Sequence, residues 1–268
     1  MAQRYVRVQS HLGHLHYGLL HPDRRVQVLD APPWLQGQPT DAELAPAQYT
    51  ILAPCAPSKI VAVGKNYADH AAEMGTPPPP EPLIFLKPST AVIASGSTIY
   101  CPPQSQRVDY EGELALIIGE RCSQVPLEEA QNKIWGYTIA NDVTARDLQT
   151  RDGQWTRAKG FDSFCPLGPW IVRGINSEAH LQTFLNDQPE PVQSASIETM
   201  IFSPGQLVAY ISDIMTLLPG DVILTGTPAG IGPLSPGDRV RVEIEGIGTL
   251  ENVVAARAEA MRQPPARG

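Results

Sequence analysis

The sequence predicts a β-rich α+β fold with few helices and a small N-terminal unit. The chain has 268 residues, which is long enough to bury a substantial core. Its 27 prolines and 22 glycines are spread along the whole length. This distribution favours many short strands joined by tight turns over a helical bundle. Apolar runs of strand length between the turns support the same fold class.

We divide the chain into three segments. Residues 1–55 are expected to form the small N-terminal unit, with short strands at 5–8 and 26–29 followed by a Pro-rich stretch. Residues 56–256 are expected to form the main domain. Residues 257–268 are expected to be a flexible tail.

The main domain is expected to open with a buried strand at the apolar run 59–63. The segment 76–82 contains five prolines and must be extended, because proline fixes φ and is excluded from helix interiors. Two helices are expected. The shorter spans 126–132, and the clearer spans 204–218, with Ser203 as N-cap and a proline at its first position.

The C-terminal third is expected to be rich in strands. Pro-Gly-Asp turns occur at 219–221 and 236–238, and each precedes an apolar or alternating run. The strands predicted from these runs cover 222–225, 239–245 and 249–254.

Charge and composition argue against two classes of partner. The formal net charge is −8 and no basic block interrupts it, so neither nucleic acid nor an anionic membrane is an expected partner. The N-terminus lacks the apolar core of a signal peptide, and no apolar stretch is long enough to cross a bilayer. We therefore expect a cytoplasmic protein. The four cysteines form no C-x-x-C pair and are expected to be reduced: Cys55, Cys101, Cys122 and Cys165.

Three acidic residues are the most informative feature of the chain. Glu111 and Glu113 lie two residues apart in a predicted strand, so both side chains point to the same face. Asp142 ends the next apolar run. Three carboxylates in one pocket repel one another, and a cation resolves the repulsion. Oxygen ligands without cysteine or histidine suit Mg²⁺, Mn²⁺ or Ca²⁺ and not zinc.

A Glu-x-Glu pair alone is weak evidence for a metal site. The same spacing recurs at Glu243 and Glu245, where the acids are expected to be solvated. The first pair differs because Gly112 permits close approach of another segment, and because an uninterrupted apolar run follows. Asp142 could instead be an acid favoured by a helix N-terminus, and the following residues 144–147 resemble a capping box that opens a short turn.

Further polar residues could bind a substrate beside such a metal site. Arg146 and Gln149 lie three apart and would share a helical face, where they could hold a carboxylate or carbonyl. Lys159 lies between Trp155 and Phe161, so partial burial is expected. Near a divalent cation its pKa should fall, which would help it exchange a proton.

His70 and Glu73 would be neighbours on a helix, where the glutamate could orient the imidazole and raise its basicity. The alternative is a surface helix with ordinary polar residues. The segment could also act as a lid. The Gly-rich loop 225–232 matches neither of the phosphate-binding patterns G-x-x-x-x-G-K-[ST] and G-x-G-x-x-G. Its Thr227 and backbone N–H groups could instead hold a substrate carboxylate.

Six motifs, in order, resemble those of the fumarylacetoacetate hydrolase family over residues 60–254. They are GKNYADH at 64–70, FLKPS at 85–89, DYEGEL at 109–114, NDVTARDLQ at 141–149, WTRAKGF at 155–161 and LTGTPAGIG at 224–232. The resemblance implies a mixed β-roll fold, a homodimer, and Mg²⁺ or Mn²⁺ held by three carboxylates. The larger members carry an additional aspartate ligand from an upstream segment, which has no counterpart here, so the chain resembles the smaller branch.

The resemblance also implies roles for individual residues. The metal ligands correspond to Glu111, Glu113 and Asp142. Lys159 matches the active-site lysine of the family. The positions that contact substrate correspond to Arg146, Gln149 and Thr227. His70 and Glu73 match the lid pair of the acylpyruvate hydrolase and oxaloacetate decarboxylase branch.

The sequence thus favours a metal-dependent hydrolase or decarboxylase of small 2-oxo acids, such as fumarylpyruvate or oxaloacetate, that works through an enolate. One alternative is an isomerase or tautomerase of 2-hydroxy-diene or 2-oxo dicarboxylic acids, because proton transfer uses the same enolate. A non-enzymatic alternative is a binding protein in which the cation only ties strands together. A solvated acidic face without any metal is the remaining possibility.

Overall fold

A computed structural model describes residues 3–257, and the predicted β-rich α+β fold with few helices is confirmed there. The described part contains twenty strands. They are β1 (Arg4–Ser10), β2 (Leu15–Leu20), β3 (Val26–Leu29), β4 (Pro39–Leu44), β5 (Tyr49–Leu52), β6 (Ile60–Gly64), β7 (Leu83–Lys87), β8 (Val92–Ile93), β9 (Thr98–Cys101), β10 (Val108–Tyr110), β11 (Gly112–Ile118), β12 (Ile134–Asn141), β13 (Thr144–Ala145), β14 (Cys165–Val172), β15 (His180–Leu185), β16 (Gln193–Ser196), β17 (Val222–Leu224), β18 (Gly232–Leu234), β19 (Arg239–Ile244) and β20 (Gly248–Ala256).

The helices are short. The α-helices are α1 (Ala68–Glu73), α2 (Leu127–Ala130), α3 (Arg146–Asp152), α4 (Thr156–Lys159) and α5 (Pro204–Ile214). Single turns of 3₁₀ helix lie at Pro33–Leu35, Pro46–Gln48, Ser89–Ala91, Gln131–Lys133 and Ile197–Thr199. No helix in residues 3–257 is both long and apolar enough to cross a membrane.

The strands form three sheets. The largest has twelve strands, in the order β4-β3-β2-β1-β14-β12-β11-β17-β6-β7, with β5 paired to β1 and β8 to β14. A second sheet has the order β13-β10-β18, and a third the order β16-β15-β19-β20-β9. Because β1 pairs antiparallel with β14, the N-terminal strands extend the sheet that holds the central strands β12 and β11.

Strand β11 runs through the centre of the molecule. Its leucines Leu114 and Leu116 pack in the same apolar cluster as Leu207 and Ile211 of α5. The alternate residues Ala115 and Ile117 pack in a second cluster on the other face. The expected inward face is therefore present, but the opposite face is buried as well. Glu111 and Glu113, at the start of this strand, are consequently buried.

Helix α5 begins as predicted and ends earlier. The Ser203 hydroxyl accepts a hydrogen bond from the N–H of Gln206, and the side-chain oxygen of Gln206 accepts one from the N–H of Ser203. The predicted end at residue 218 is wrong, because Met215 is already extended. Leu217 then exchanges two backbone hydrogen bonds with Cys122, and this tertiary bridge draws the chain out of the helix.

The capping box predicted at 144–147 is also wrong. Thr144 belongs to β13, which pairs with β10, and its hydroxyl donates to the backbone oxygen of Asp142 at 2.8 Å. Helix α3 begins at Arg146 without a side-chain cap. The four cysteines are free thiols, as predicted. Of the predicted tail, only Arg257 lies within the described residues.

Gly112 is required by close packing, and this gives a first prediction. A Cβ atom at this position would overlap the Thr183 hydroxyl and press on Val242. Gly112→Ala is therefore expected to destabilise the protein by about 1–3 kcal/mol, the usual cost of overpacking. Urea unfolding measures this cost. Gly174→Ala is the control for steric overlap, because a Cβ there meets no atom within 4 Å and its φ lies outside the left-handed region. Equal losses in the two variants would contradict the packing argument.

Candidate metal centre and active site

The three predicted carboxylates meet at one end of the β11–β12 pair. Gly112 lies opposite Asn141 in the antiparallel register, which places the residues just outside both strands side by side. The N–H of Asp142 accordingly donates to the backbone oxygen of Glu111 at 2.8 Å. One oxygen from each of Glu111, Glu113 and Asp142 lies within 4.8 Å of the others.

All three carboxylates are buried, with exposed fractions of 4% for Glu111 and 1% for Glu113 and Asp142. Buried carboxylates require compensating charge or hydrogen bonds. Lys159 provides part of both, because its Nζ donates to Glu111 Oε2 at 2.8 Å and to Asp142 Oδ2 at 2.7 Å. The lysine is itself only 2% exposed.

A second buried lysine, Lys87 at the end of β7, was not identified from the sequence. Its Nζ donates to Asp142 Oδ1 at 2.5 Å and to the backbone oxygen of Lys159 at 2.7 Å. Its exposed fraction is 1%. It lies within the FLKPS motif, and a lysine that ends an apolar strand immediately before a proline is the available sequence signal.

The surroundings shift the pKa values of Glu111 and Glu113 in opposite directions. Burial raises the pKa of Glu111, but the charges of Lys159 and Arg146 outweigh it, and the pKa ends well below its usual range. Burial likewise raises the pKa of Glu113, and the neighbouring charges of Asp142 and Glu111 raise it further. Without a cation, Glu113 therefore holds a proton more readily than Glu111 does.

The pKa of Lys159 is raised in the chain alone. Burial lowers it, but the attraction of Asp142 and Glu111 is stronger. The lowered pKa predicted from the sequence concerns Lys159 beside a bound divalent cation, and it stays a prediction.

Arg146 and Gln149 share one face of α3, as predicted. Arg146 Nη1 donates to Gln149 Oε1 at 2.6 Å, its Nε donates to Asp109 Oδ2 at 2.9 Å, and its Nη2 donates to Glu111 Oε1. Asp109 is fully buried and also binds the guanidinium of Arg107. The bond to Asp109 leaves Arg146 with a fixed orientation toward the carboxylates.

Thr227 lies in the Gly-rich loop and faces the same site. Its hydroxyl donates to the backbone oxygen of Gly112 and accepts from Gln193 Nε2, both at 2.8 Å. Gln193 also accepts from the N–H of Gly112 at 3.0 Å. No local sequence pattern singles out Gln193, whose side chain connects the loop to the start of β11. The Gly226 N–H from the same loop donates to Glu113 Oε2 at 2.7 Å.

His70 and Glu73 form the predicted pair on α1. The distance from His70 Nδ1 to Glu73 Oε2 is 3.0 Å, and Glu73 Oε1 accepts from the N–H of Gly230 at 3.0 Å. The imidazole is 5% exposed, so it is not an ordinary surface residue. An ionised glutamate only accepts hydrogen bonds, so we expect Nδ1 to carry the proton in the neutral ring, which leaves Nε2 as the basic nitrogen.

These residues surround one small cavity of about 180 Å³. Eight of the nine site residues predicted from the sequence line it, and the ninth, Glu73, holds His70 in place. The other residues of the wall are Val63, Gly64, Lys65, Met74, Phe85, Thr150 and Trp155. The rings of Phe85 and Trp155 pack edge to face with centroids 5.1 Å apart, and Lys159 Nζ lies 4.9 Å from the Phe85 centroid. The cavity is therefore apolar on one side and charged on the other.

The donor set fits a hard divalent cation. It consists of three buried carboxylates without cysteine or histidine, and within the described residues it is the one cluster of at least three such side chains. Oxygen-only sites of this kind suit Mg²⁺, Mn²⁺ or Ca²⁺.

Comparison with known proteins identifies the family. Residues 59–255 match the family model described as fumarylacetoacetate (FAA) hydrolase C-terminal, and residues 3–54 match one described as Rv2993c-like, N-terminal. The chain belongs to the fumarylacetoacetate hydrolase family. The resemblance inferred from the six sequence motifs is thereby confirmed.

Members of this family with different named activities are similar to the chain. A 5-carboxymethyl-2-hydroxymuconate delta-isomerase from Mycobacterium smegmatis has a TM-score of 0.88 and 44% identity, covering 95% of this chain and 100% of that one. The mitochondrial oxaloacetate tautomerase FAHD2A of Bos taurus is 42% identical over 78% of this chain and 70% of its own length. A fumarylpyruvate hydrolase from Pseudomonas aeruginosa, solved with Mn²⁺ and pyruvate, has a TM-score of 0.70 and 35% identity, covering 81% of this chain and 93% of that one.

Proposed function

We propose that the protein is a divalent-metal-dependent enzyme that moves a proton on the carbon beside the 2-oxo group of a small dicarboxylic acid. It would thus act as a tautomerase or isomerase. The observation that carries this proposal is that His70, held by Glu73, and the buried Lys159 line the same cavity as the three carboxylates. A site built in this way can accept and return a proton next to a cation.

The size and charge of the cavity favour a small dianion. At about 180 Å³ it is smaller than the roughly 300–1,000 Å³ of pockets that bind drug-sized ligands. The positive charges of Lys65, Arg146 and Lys159 balance the three carboxylates of the wall. A divalent cation would then leave an excess of roughly two positive charges, which a dicarboxylate neutralises.

Each side chain has a defined part in proton transfer. A cation held by Glu111, Glu113 and Asp142 would act as a Lewis acid that favours an enolate. Nε2 of His70 can take the proton from the carbon, because the Glu73 carboxylate stabilises the imidazolium that forms. Arg146 and Gln149 would hold a substrate carboxylate, since their donors lie at the cavity wall.

Hydrolysis of the C–C bond of an acylpyruvate is the second candidate, and it is the activity that the sequence favoured. It is supported by the similarity to the fumarylpyruvate hydrolase and by the same His70–Glu73 pair, which could activate a water molecule instead of a substrate carbon. Decarboxylation of oxaloacetate would need only loss of CO₂ to the same enolate. We rank proton transfer first because the tautomerase and isomerase relatives are more similar in sequence to this chain, at 42% and 44% identity against 35% for the hydrolase.

A substrate panel tests the proposal. We expect Mg²⁺- or Mn²⁺-dependent interconversion of the keto and enol forms of oxaloacetate, or isomerisation of a hydroxymuconate-type diene acid, each followed by absorbance. EDTA treatment should abolish this activity, and added Mn²⁺ should restore it. Full activity in EDTA would contradict the proposal. Cleavage of acetylpyruvate or fumarylpyruvate without isomerisation would establish the hydrolase instead.

The same protein samples distinguish the non-enzymatic alternative. A purely structural ion would raise the melting temperature, while 2-oxo acids would have no further effect. We expect the acids to raise it further in the presence of the metal, because they bind at the cavity.

A further inference from the structure

In each of the three buried carboxylates, one oxygen accepts a hydrogen bond from a donor other than the ammonium group of Lys159. Lys87 holds Asp142 Oδ1, Arg146 holds Glu111 Oε1, and the N–H of Gly226 holds Glu113 Oε2. The other oxygens of Glu111 and Asp142 accept hydrogen bonds from Lys159, which lines the cavity. The two oxygens of these carboxylates are therefore engaged from different directions.

Lys87 is the most rigidly placed of these donors. Its side chain is completely buried, and it does not contribute to the cavity wall. Besides Asp142, its ammonium donates to the backbone oxygens of Lys159 at 2.7 Å and Val143 at 3.3 Å. Three acceptors thus engage the three N–H groups of Lys87. The hydrogen bond to Asp142 directs Oδ1 of this carboxylate away from the cavity.

We propose that Lys87 restricts Asp142 to binding a cation through a single oxygen, and that this restriction makes the site prefer Mg²⁺ and Mn²⁺ to Ca²⁺. The inference rests on the proposed metal-dependent function and concerns which cation the site selects. Lys87 is then a positioning residue, because it acts through Asp142 and touches neither the substrate nor the cavity.

The preference follows from the coordination chemistry of the two kinds of ion. Ca²⁺ takes six to eight oxygen ligands and often binds both oxygens of a carboxylate, whereas Mg²⁺ demands an octahedron of six at shorter distance. One oxygen from each of the three carboxylates would supply three of the six positions of an octahedron. The other three positions would be left to substrate and water. Ca²⁺ gains most from an additional carboxylate oxygen, and Lys87 withholds that oxygen.

Lys87→Met tests the inference, because methionine retains an unbranched side chain of similar length and removes the charged donor. Mn²⁺ affinity is measured by electron paramagnetic resonance titration, and Ca²⁺ affinity by competition against Mn²⁺. We expect the ratio of the Ca²⁺ Kd to the Mn²⁺ Kd to fall by about tenfold, the size of effect typical of partners that orient metal ligands. Loss of a nearby positive charge strengthens binding of both ions equally, so only the ratio reports the freed oxygen.

Lys59→Met is the matched control. Lys59 also forms an ion pair with a fully buried aspartate, Asp221, but it lies outside the cavity wall. Its replacement should leave the ratio unchanged. An unchanged ratio in Lys87→Met, or an equal change in both variants, would overturn the inference.

A crystal structure of the unaltered protein with Mn²⁺ provides a test that does not depend on the folding of a variant. We expect Asp142 to bind the ion through Oδ2 only, with Oδ1 still bonded to Lys87. Coordination through both oxygens would overturn the inference. All these measurements report metal binding and not turnover, so they can fail while the metal-dependent reaction is observed, or succeed while it is not.

Discussion

Glu113→Gln is expected to abolish divalent-cation binding and to reduce turnover of a 2-oxo acid by roughly a thousandfold or more. A Lewis-acid cation contributes several kcal/mol to the stability of a transition state, and about 1.4 kcal/mol corresponds to a factor of ten in rate. The amide keeps the shape of the side chain and can still accept the hydrogen bond from Gly226. It lacks the negative charge that a cation requires.

The same variant should fold as well as the unaltered protein when no cation is present. The pKa of Glu113 is raised by burial and by the charges of Asp142 and Glu111, so in the metal-free chain glutamine replaces a carboxylate whose charge is disfavoured by its surroundings. Replacement of Asp142 would be less informative, because it would remove the carboxylate partner of the buried Lys87 and one of the two carboxylate partners of Lys159.

Glu243→Gln is the matched control for this prediction. Glu243 begins a second Glu-x-Glu sequence, but its side chain is 39% exposed and pairs with Arg241 at the surface. Such pairs contribute at most about 1 kcal/mol, and metal binding and turnover should be unchanged. Isothermal titration with Mn²⁺ and a thermal melt in EDTA provide the two readouts. Retention of Mn²⁺ affinity within about threefold in Glu113→Gln would exclude this glutamate as a ligand, given the tenfold or larger losses typical of metal sites.

The sequence predicted the parts of the site that depend on local structure. Glu111 and Glu113 could be placed together because strand side chains alternate, and Arg146 and Gln149 because a helix brings residues three apart to one face. The structure places all of these at one cavity. The position of the proton on the His70 ring and the roles of the other side chains remain predictions.

Residues that act across the fold could not be found in this way. Lys87 reaches Asp142 over 55 residues of sequence, and Gln193 reaches Gly112 over 81. Their contacts depend on the pairing of distant strands and on loop conformation, which no local pattern encodes. The early end of α5 has the same origin, because the bridge between Cys122 and Leu217 competes with helical continuation. In each case a tertiary contact outweighs the local preference.

The second large effect is expected from the imidazole. His70→Ala should lower kcat by about 10²- to 10⁴-fold, the contribution typical of a positioned general base. Mn²⁺ affinity should be preserved, since His70 is not one of the three carboxylate ligands. Glu73→Gln should cause a smaller loss, because the amide can still accept from Gly230 but no longer stabilises a charged imidazolium. His180→Ala is the control, as His180 is exposed on β15 and distant in sequence from every predicted site residue.

The pattern of the kinetic constants separates the possible roles of His70. If it transfers the proton, kcat falls and KM changes little, because the groups that hold the substrate carboxylates are untouched. If it only closes the cavity, KM rises and kcat is largely kept. A fully active His70→Ala enzyme would assign proton transfer to Lys159, the other proton-bearing group at the cavity. Lys159→Met would then be expected to lose turnover while His70→Ala retains it, and this reversal is the outcome that decides between the two bases.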